Sequence, residues 1–213
     1  MQKVTEEALL RAPRGYFTRR EAAFWVSSCG AALDGLLKRA VNAGEIWRVV
    51  RGLFCLDRKF LSTPLQPMAL AQLILGPSYV SLESALSWHG WIPEGVQAVT
   101  SVSMGRTREF ATPLSVFSFS RVPQSSLFRG VERIEDGLAG GAIFMARPLK
   151  ALADYVYLHR CDWTSRVPLQ SSLRIESEML AELSESEFDE LSNQYRSKRV
   201  ENFLGGLRKD LGL

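Results

Sequence analysis

Apolar residues at 33, 36, 37, 40 and 41 recur with the i, i+3, i+4, i+7, i+8 spacing of one helix face. This stripe (Leu33, Leu36, Leu37, Ala40, Val41) predicts an amphipathic helix that Gly44 stops. Its neighbours narrow the fold further. Thr18-Arg19-Arg20-Glu21 has the spacing of a capping box, with Thr18 as N-cap and Glu21 reaching back. The helix it opens carries Ala22, Ala23, Trp25 and Val26 and ends in the polar turn Ser27-Ser28-Cys29-Gly30. Val4 to Arg11 is a shorter helix, closed by Pro13 and Gly15. Beyond the stripe, Ile46 to Val50 and Leu53 to Leu56 flank Arg51-Gly52, which reads as a β-hairpin.

Two helices across a tight turn followed by a hairpin is the order of a winged helix-turn-helix. In that arrangement the second helix of the pair enters a major groove and the wing approaches a phosphate ridge or minor groove. The solvent side of the third helix would carry Ser28, Ala31, Asp34, Gly35, Lys38 and Arg39. Small residues at its start permit close approach to base edges, and Lys38 and Arg39 can neutralise phosphates. Arg48 and Arg51 flank the hairpin turn beside Gly52, where a guanidinium can enter a narrow groove. Arg14, Arg19 and Arg20 precede or begin the second helix, a position that commonly crosses the DNA backbone. The bland alternative is that these cations are simply solvated, and Asp34 would repel a phosphate unless it accepted from a cytosine amine. Winged helices also serve as protein-docking modules.

Charge distribution favours the nucleic-acid reading. Residues 1–63 hold 11 Lys+Arg against 6 Asp+Glu, whereas residues 64–213 hold 15 against 17. A basic first third on a mildly acidic remainder places polyanion binding, where present, at the N-terminal end. Pro64 and Pro67 punctuate the polar stretch Asp57 to Pro67 between them. The expected organisation is a DNA-binding head at 1–60, a linker at 61–67 and a mixed domain at 68–213.

In the mixed domain, Met68 to Leu75 reads as a short helix, and Ser81 as the cap of a helix from Leu82 to His89. Ala98 to Met104, Arg108 to Phe110, Ser115 to Arg121 and Ala142 to Met145 read as extended. Serines interleaved with Val116, Phe117 and Phe119 predict an antiparallel sheet with one buried face. Pro148 opens a helix with Leu149, Leu152, Ala153 and Val156 on its apolar side. Three helices are expected at the end: Ser172 to Leu183, one opened by the capping box Ser184 to Glu187, and one carrying Val200, Phe203, Leu204 and Leu207. The acidic run from Glu176 to Glu190, free of lysine and arginine, should point away from nucleic acid and is either solvated or a seat for a basic partner. The fold class is therefore α+β.

Three blocks carry a resemblance to a known family: GYFTRREA (Gly15 to Ala22) with LLKRAVNAGEIWRVVRGLFCL (Leu36 to Leu56), then YVSLESALSWHGWIPE (Tyr79 to Glu94) with RTREFATPLSVFSFSRVP (Arg106 to Pro123), then ARPLKALADYVYL (Ala146 to Leu158). In this order they resemble the AbiEi antitoxins of bacterial type IV toxin–antitoxin systems. In the last block Pro148, Lys150, Ala151, Leu152 and Asp154 match the family's proline-opened KAL-D helix. The resemblance implies a repressor that binds inverted repeats in its own promoter, two copies on the DNA, and counteracts a nucleotidyltransferase-like toxin. It also implies DNA-facing roles for Lys38, Arg39, Arg48, Arg51 and Gly52. One departure stands out: Ser27 to Asp34 lacks the Ser/Thr-Arg combination often found at the start of such recognition helices.

Enzyme signatures are missing. No phosphate-binding glycine loop, dinucleotide fingerprint, nucleophile elbow or HExxH occurs, and Gly140-Gly141 reads as a turn. Cys29, Cys55 and Cys161 are far apart and odd in number, so buried reduced thiols are expected rather than disulfides or zinc ligands; His89 and His159 are the only histidines. His89, near a helix end, is expected to satisfy that helix's last carbonyls, and Asp154 to bond a neighbouring loop or contact a partner. Neither metal, cofactor, catalytic residue nor membrane span is expected. With two glutamates where a signal peptide needs its apolar segment, a cytoplasmic location is expected.

Overall fold

The computed structural model describes residues 1–135 and 141–213. Helix α1 (Lys3–Arg11), strand β1 (Tyr16–Thr18), helices α2 (Arg19–Val26) and α3 (Gly30–Asn42), and strands β2 (Ile46–Val50) and β3 (Leu53–Leu56) open the chain. The Thr18 capping box forms as expected: the Glu21 backbone N–H donates to Thr18 Oγ1 at 3.2 Å, and Thr18 N–H donates to Glu21 Oε2 at 2.6 Å. Leu33, Leu37 and Ala40 are buried along α3, with Leu36 and Val41 half-buried at the edges of the stripe. The sequence reading overlooked β1, which has only three residues and no alternation to betray it.

The three strands form an antiparallel sheet with β3 central, in the order β1-β3-β2. All four residues of β3 are buried because the sheet is covered on both sides. Phe54 and Leu56 join Phe17, Ala22 and Leu33 in a core under the three helices, while Tyr16, Leu53 and Cys55 belong to the larger core of the remaining chain. A polar tie closes the base of this part. Glu45 accepts from Thr5 Oγ1 at 2.7 Å and from the Gln2 backbone at 2.8 Å, and these bonds hold its carboxyl below the ordinary value.

After a stretch without helix or strand at 61–66, a 3₁₀ turn (Pro67–Leu70) runs into helix α4 (Ala71–Ile74), where a single helix was expected. Strand β4 (Ser78–Val80), helix α5 (Leu82–Trp88) and strands β5 (Val99–Ser103), β6 (Arg108–Ala111), β7 (Val116–Arg121), β8 (Val131–Glu135) and β9 (Ala142–Ala146) follow. The six strands lie in the order β6-β7-β5-β4-β9-β8. The antiparallel expectation holds for β4 with β5, β6 with β7 and β8 with β9, and is corrected at two pairings: β5 pairs with β7, and β4 with β9, in parallel, so the sheet is mixed. Alternation along β7 reports that one face is buried, and it carries no information about neighbour direction. Gly140 of the glycine pair lies outside the described residues.

Helix α6 (Pro148–Leu158) brings the KAL-D residues into the core. Lys150 and Asp154, one turn apart, are 1% and 0% exposed. Lys150 Nζ donates to Asp154 Oδ1 at 2.9 Å, Gln124 Oε1 at 2.6 Å and the Tyr195 hydroxyl at 2.6 Å. Asp154 also accepts from the hydroxyls of Tyr79 (2.8 Å), Ser81 (2.8 Å) and Tyr195 (2.7 Å). Every polar atom of the ion pair thus has partners, as a buried pair requires. Burial lowers the Lys150 pKa against the pull of Asp154. Burial, then the charge of Asp154, pushes both tyrosines well above their ordinary value.

Two sequence expectations are corrected nearby. Ser81 sits at the α5 N-cap, but its hydroxyl is committed to Asp154 and caps nothing. His89 leaves its own helix and meets the Ala146 carbonyl on β9 at 3.0 Å. His159, by contrast, lies 3.1 Å from Glu83 Oε1.

The C-terminal part holds four helices instead of three: α7 (Val167–Ser172), α8 (Ser177–Ala181), α9 (Glu185–Leu191) and α10 (Lys198–Leu211). The run from Ser172 to Leu183 is broken where Arg174 takes a φ of 55°, yet Ile175, Leu180 and Leu183 are still buried. Much of the acidic run is internally engaged. Glu185 and Asp189 bind Arg208, Glu190 binds Arg147, and Glu187 completes the second capping box. No helix among the described residues is long and apolar enough to cross a membrane.

Candidate nucleic-acid interface

Helix α3 and the β2–β3 hairpin enclose a groove of about 660 Å³ in the basic first third of the chain. Its walls are Arg19, Asp34, Leu37, Lys38, Val41, Arg48, Arg51, Gly52 and Phe54. Each wall has a local cause. Leu33 and Leu37 pin α3 on the core, and the helical period then turns Lys38 outward along one rim. On the other rim, Gly52 takes a φ of 87° with open space around its Cα, the backbone geometry that lets the hairpin reverse with Arg51 at its tip. A register irregularity between Arg48 and Val50 leaves Arg48 exposed on β2. The hairpin tip is tied to α2 by the Arg19 backbone N–H, which donates to the Gly52 carbonyl at 2.8 Å. Its base is held by the Trp47 indole, which donates to Asp57 at 2.7 Å, and by Lys59, which donates to the Gly44 carbonyl at 2.6 Å. The indole bond is also the main reason the Asp57 pKa is lowered.

The cations singled out from the sequence divide into two groups. Arg19 spans to α3, with Nε 2.9 Å from Asp34 Oδ1 and a further bond to the Gly30 carbonyl. Arg19 thereby offsets the charge of Asp34 through one carboxylate oxygen. Arg14 lies 3.4 Å from Glu21 and over the Tyr16 ring at 5.0 Å, which makes it part of the α2 start. Among the described residues, no ion pair engages Arg20, Lys38, Arg39, Arg48 or Arg51. Of these, Lys38, Arg48 and Arg51 share the groove, whereas Arg39 folds back beside Gly35 and Arg20 stands on α2. Ala31 is exposed in the first turn of α3; Ser28 belongs to the preceding turn and not, as expected, to the helix.

Two features of this region escaped the sequence reading. Phe24 is 79% exposed on α2, one turn beyond Arg20. It borders a second hollow of about 620 Å³ with Ala23, Ser27, Ser28, Cys29 and Ala32. The signal was available: with Ala22 and Val26 facing inward, the helical period turns residues 20 and 24 outward together. Cys29 is the second. It is exposed at the α3 N-cap, against the expectation of three buried thiols; Cys55 is buried, which pushes its pKa up to about 11, and Cys161 is half-buried.

The described residues hold no group of three or more His, Cys, Asp or Glu side chains placed to bind a metal ion. No protein-family model and no curated protein matches the chain.

Proposed function

We propose that the chain is a winged helix-turn-helix DNA-binding regulator. Residues 1–60 act as the head, 61–67 as a linker and 68–213 as the regulatory part. One observation carries the reading: Lys38, Arg48 and Arg51, none of them in an ion pair among the described residues, line a single groove between a helix and a hairpin. Three unpaired cations in one groove suit a phosphate backbone. By its sequence resemblance the regulator is the antitoxin and autorepressor of a type IV toxin–antitoxin operon. It would act in the cytoplasm, as two copies on an inverted repeat in its own promoter, without cofactor or catalytic chemistry.

The test is binding to a duplex covering the chain's own upstream region, measured across salt concentrations. Each phosphate contact adds about 0.9 to the slope of log K against log salt. Arg48→Ala with Arg51→Ala should weaken binding to all sequences and remove about two contacts' worth of slope. Unchanged affinity in that double variant overturns the groove as the interface. The antitoxin role is tested apart, by co-expression with the reading frame immediately downstream; persistent growth arrest overturns it.

A second reading has its own observation. A cleft of about 270 Å³ between α9 and α10 reaches Tyr195 of the buried network and is lined by Leu204 and Gly205. A regulator whose C-terminal part senses a small ligand there would bind the same DNA without any toxin.

A further inference from the structure

Phe24 exposes an aromatic ring to solvent in the last turn of α2, one turn beyond Arg20 and bordering the same hollow as the start of α3, the helix proposed to enter the major groove. Around it, the first turn of α3 presents Gly30, Ala31 and Ala32, none with a side chain that can donate to or accept from a base edge. Asp34, the first polar side chain inside the helix, is held by Arg19 at 2.9 Å. Ser27, Ser28 and Cys29 border the same hollow; a hydroxyl both donates and accepts and a thiol is a weak donor, so each discriminates poorly among bases. The side chains that project farthest at this surface, Phe24, Ala31 and Ala32, are apolar. In the major groove only one base offers an apolar group, the C5-methyl of thymine. Flanking charge suits the same occupant: Arg20 beside Phe24 and Lys38 farther along α3 are both without an ion pair among the described residues, placed to hold the backbone on either side.

We infer that Phe24, with Ala31 and Ala32, is a specificity-determining apolar surface that reads thymine methyl groups, so that the preferred duplexes carry thymine where the start of α3 docks. The inference rests on the proposed DNA binding and adds the class of site that is bound.

The experiment uses the full chain and a duplex enriched by it from a random-sequence library. That duplex is synthesised twice, once with thymidine and once with deoxyuridine, which removes the methyl and keeps every hydrogen-bonding group. The expected result is binding about fourfold weaker for each contacted methyl lost, the worth of burying one such group. Phe24→Ala should bring the two duplexes to nearly equal affinity, and Phe24→Leu should retain most of the difference. Because Phe24 is largely exposed, both variants are expected to fold; Lys38→Ala should weaken both duplexes by the same factor. Equal affinity of the unaltered chain for the two duplexes overturns the inference and leaves the regulator standing. So does a deoxyuridine penalty that survives Phe24→Ala. Failure to enrich any duplex overturns the proposed function itself.

Discussion

Lysine, arginine and aspartate occur in two settings in this molecule, and their treatment is opposite. Around α6, Lys150 and Asp154 are fully buried, and Gln124, Tyr79, Tyr195 and Ser81 supply a partner to every remaining polar atom. Between α3 and the hairpin, Lys38, Arg48 and Arg51 are exposed and make no ion pair among the described residues. A buried charge must be paired and hydrogen-bonded or the fold is lost; an exposed charge costs little and is free to meet something else. The first set binds α6, β4, the loop after β7 and the segment between α9 and α10 to one another. The second contributes nothing visible to the fold, and that is the physical ground for giving it to a ligand.

The largest effect should come from breaking the buried set. Asp154→Ala leaves three hydroxyls without their acceptor and the buried Lys150 ammonium without its counter-charge, and should cost about 3–5 kcal/mol, measured by denaturant unfolding. A cost under about 1 kcal/mol would show that the network is peripheral to stability.

The next prediction sharpens the contrast from the other side. Asp34→Ala releases Arg19 into the groove. It should change stability by less than about 0.5 kcal/mol, since the pair is exposed. It should also strengthen DNA binding and steepen the salt slope by about 0.9. Weaker binding in this variant would mean that the pair positions the groove and does not merely occupy one of its cations.

The smallest effect concerns acid. Glu45 is held below its ordinary value of 4.5 by Thr5, then by the Gln2 backbone. With its folded-state pKa depressed, its stabilising effect is present above the unfolded value and is lost as pH falls through the lower folded value. Unfolding free energies of Glu45→Gln, measured from neutral pH into that acid range, should show a shallower decline than those of the unaltered chain. An identical slope would assign the acid limb to other carboxylates.

Particular residues show how far the sequence could be read. The Thr18 box, the 33–41 stripe and the hairpin about Gly52 are all local, set by contacts within four residues or by one turn, and they form where expected. Short-range signals misled wherever a distant group outbid a near one. Ser81 leaves its cap for Asp154, His89 leaves its helix for Ala146, and the run to Leu183 breaks at Arg174 while keeping its apolar residues inward. Of the candidate site, Lys38, Arg48, Arg51 and Gly52 come together on one groove, whereas Arg14 and Arg19 are engaged by acids whose nearness the sequence does not reveal.

The positions of α2 and α3, their inward faces, the reversal at Gly52 and the uneven spread of charge follow from the order of amino acids, because each depends on periodicity or on a few neighbouring backbone groups. Strand direction in the six-stranded sheet, the partners of Asp154 and the exposure of Phe24 and Cys29 depended on tertiary structure. Those properties belong to pairs of residues tens of positions apart. Their chemistry is settled only when packing brings them within a few ångströms and excludes water.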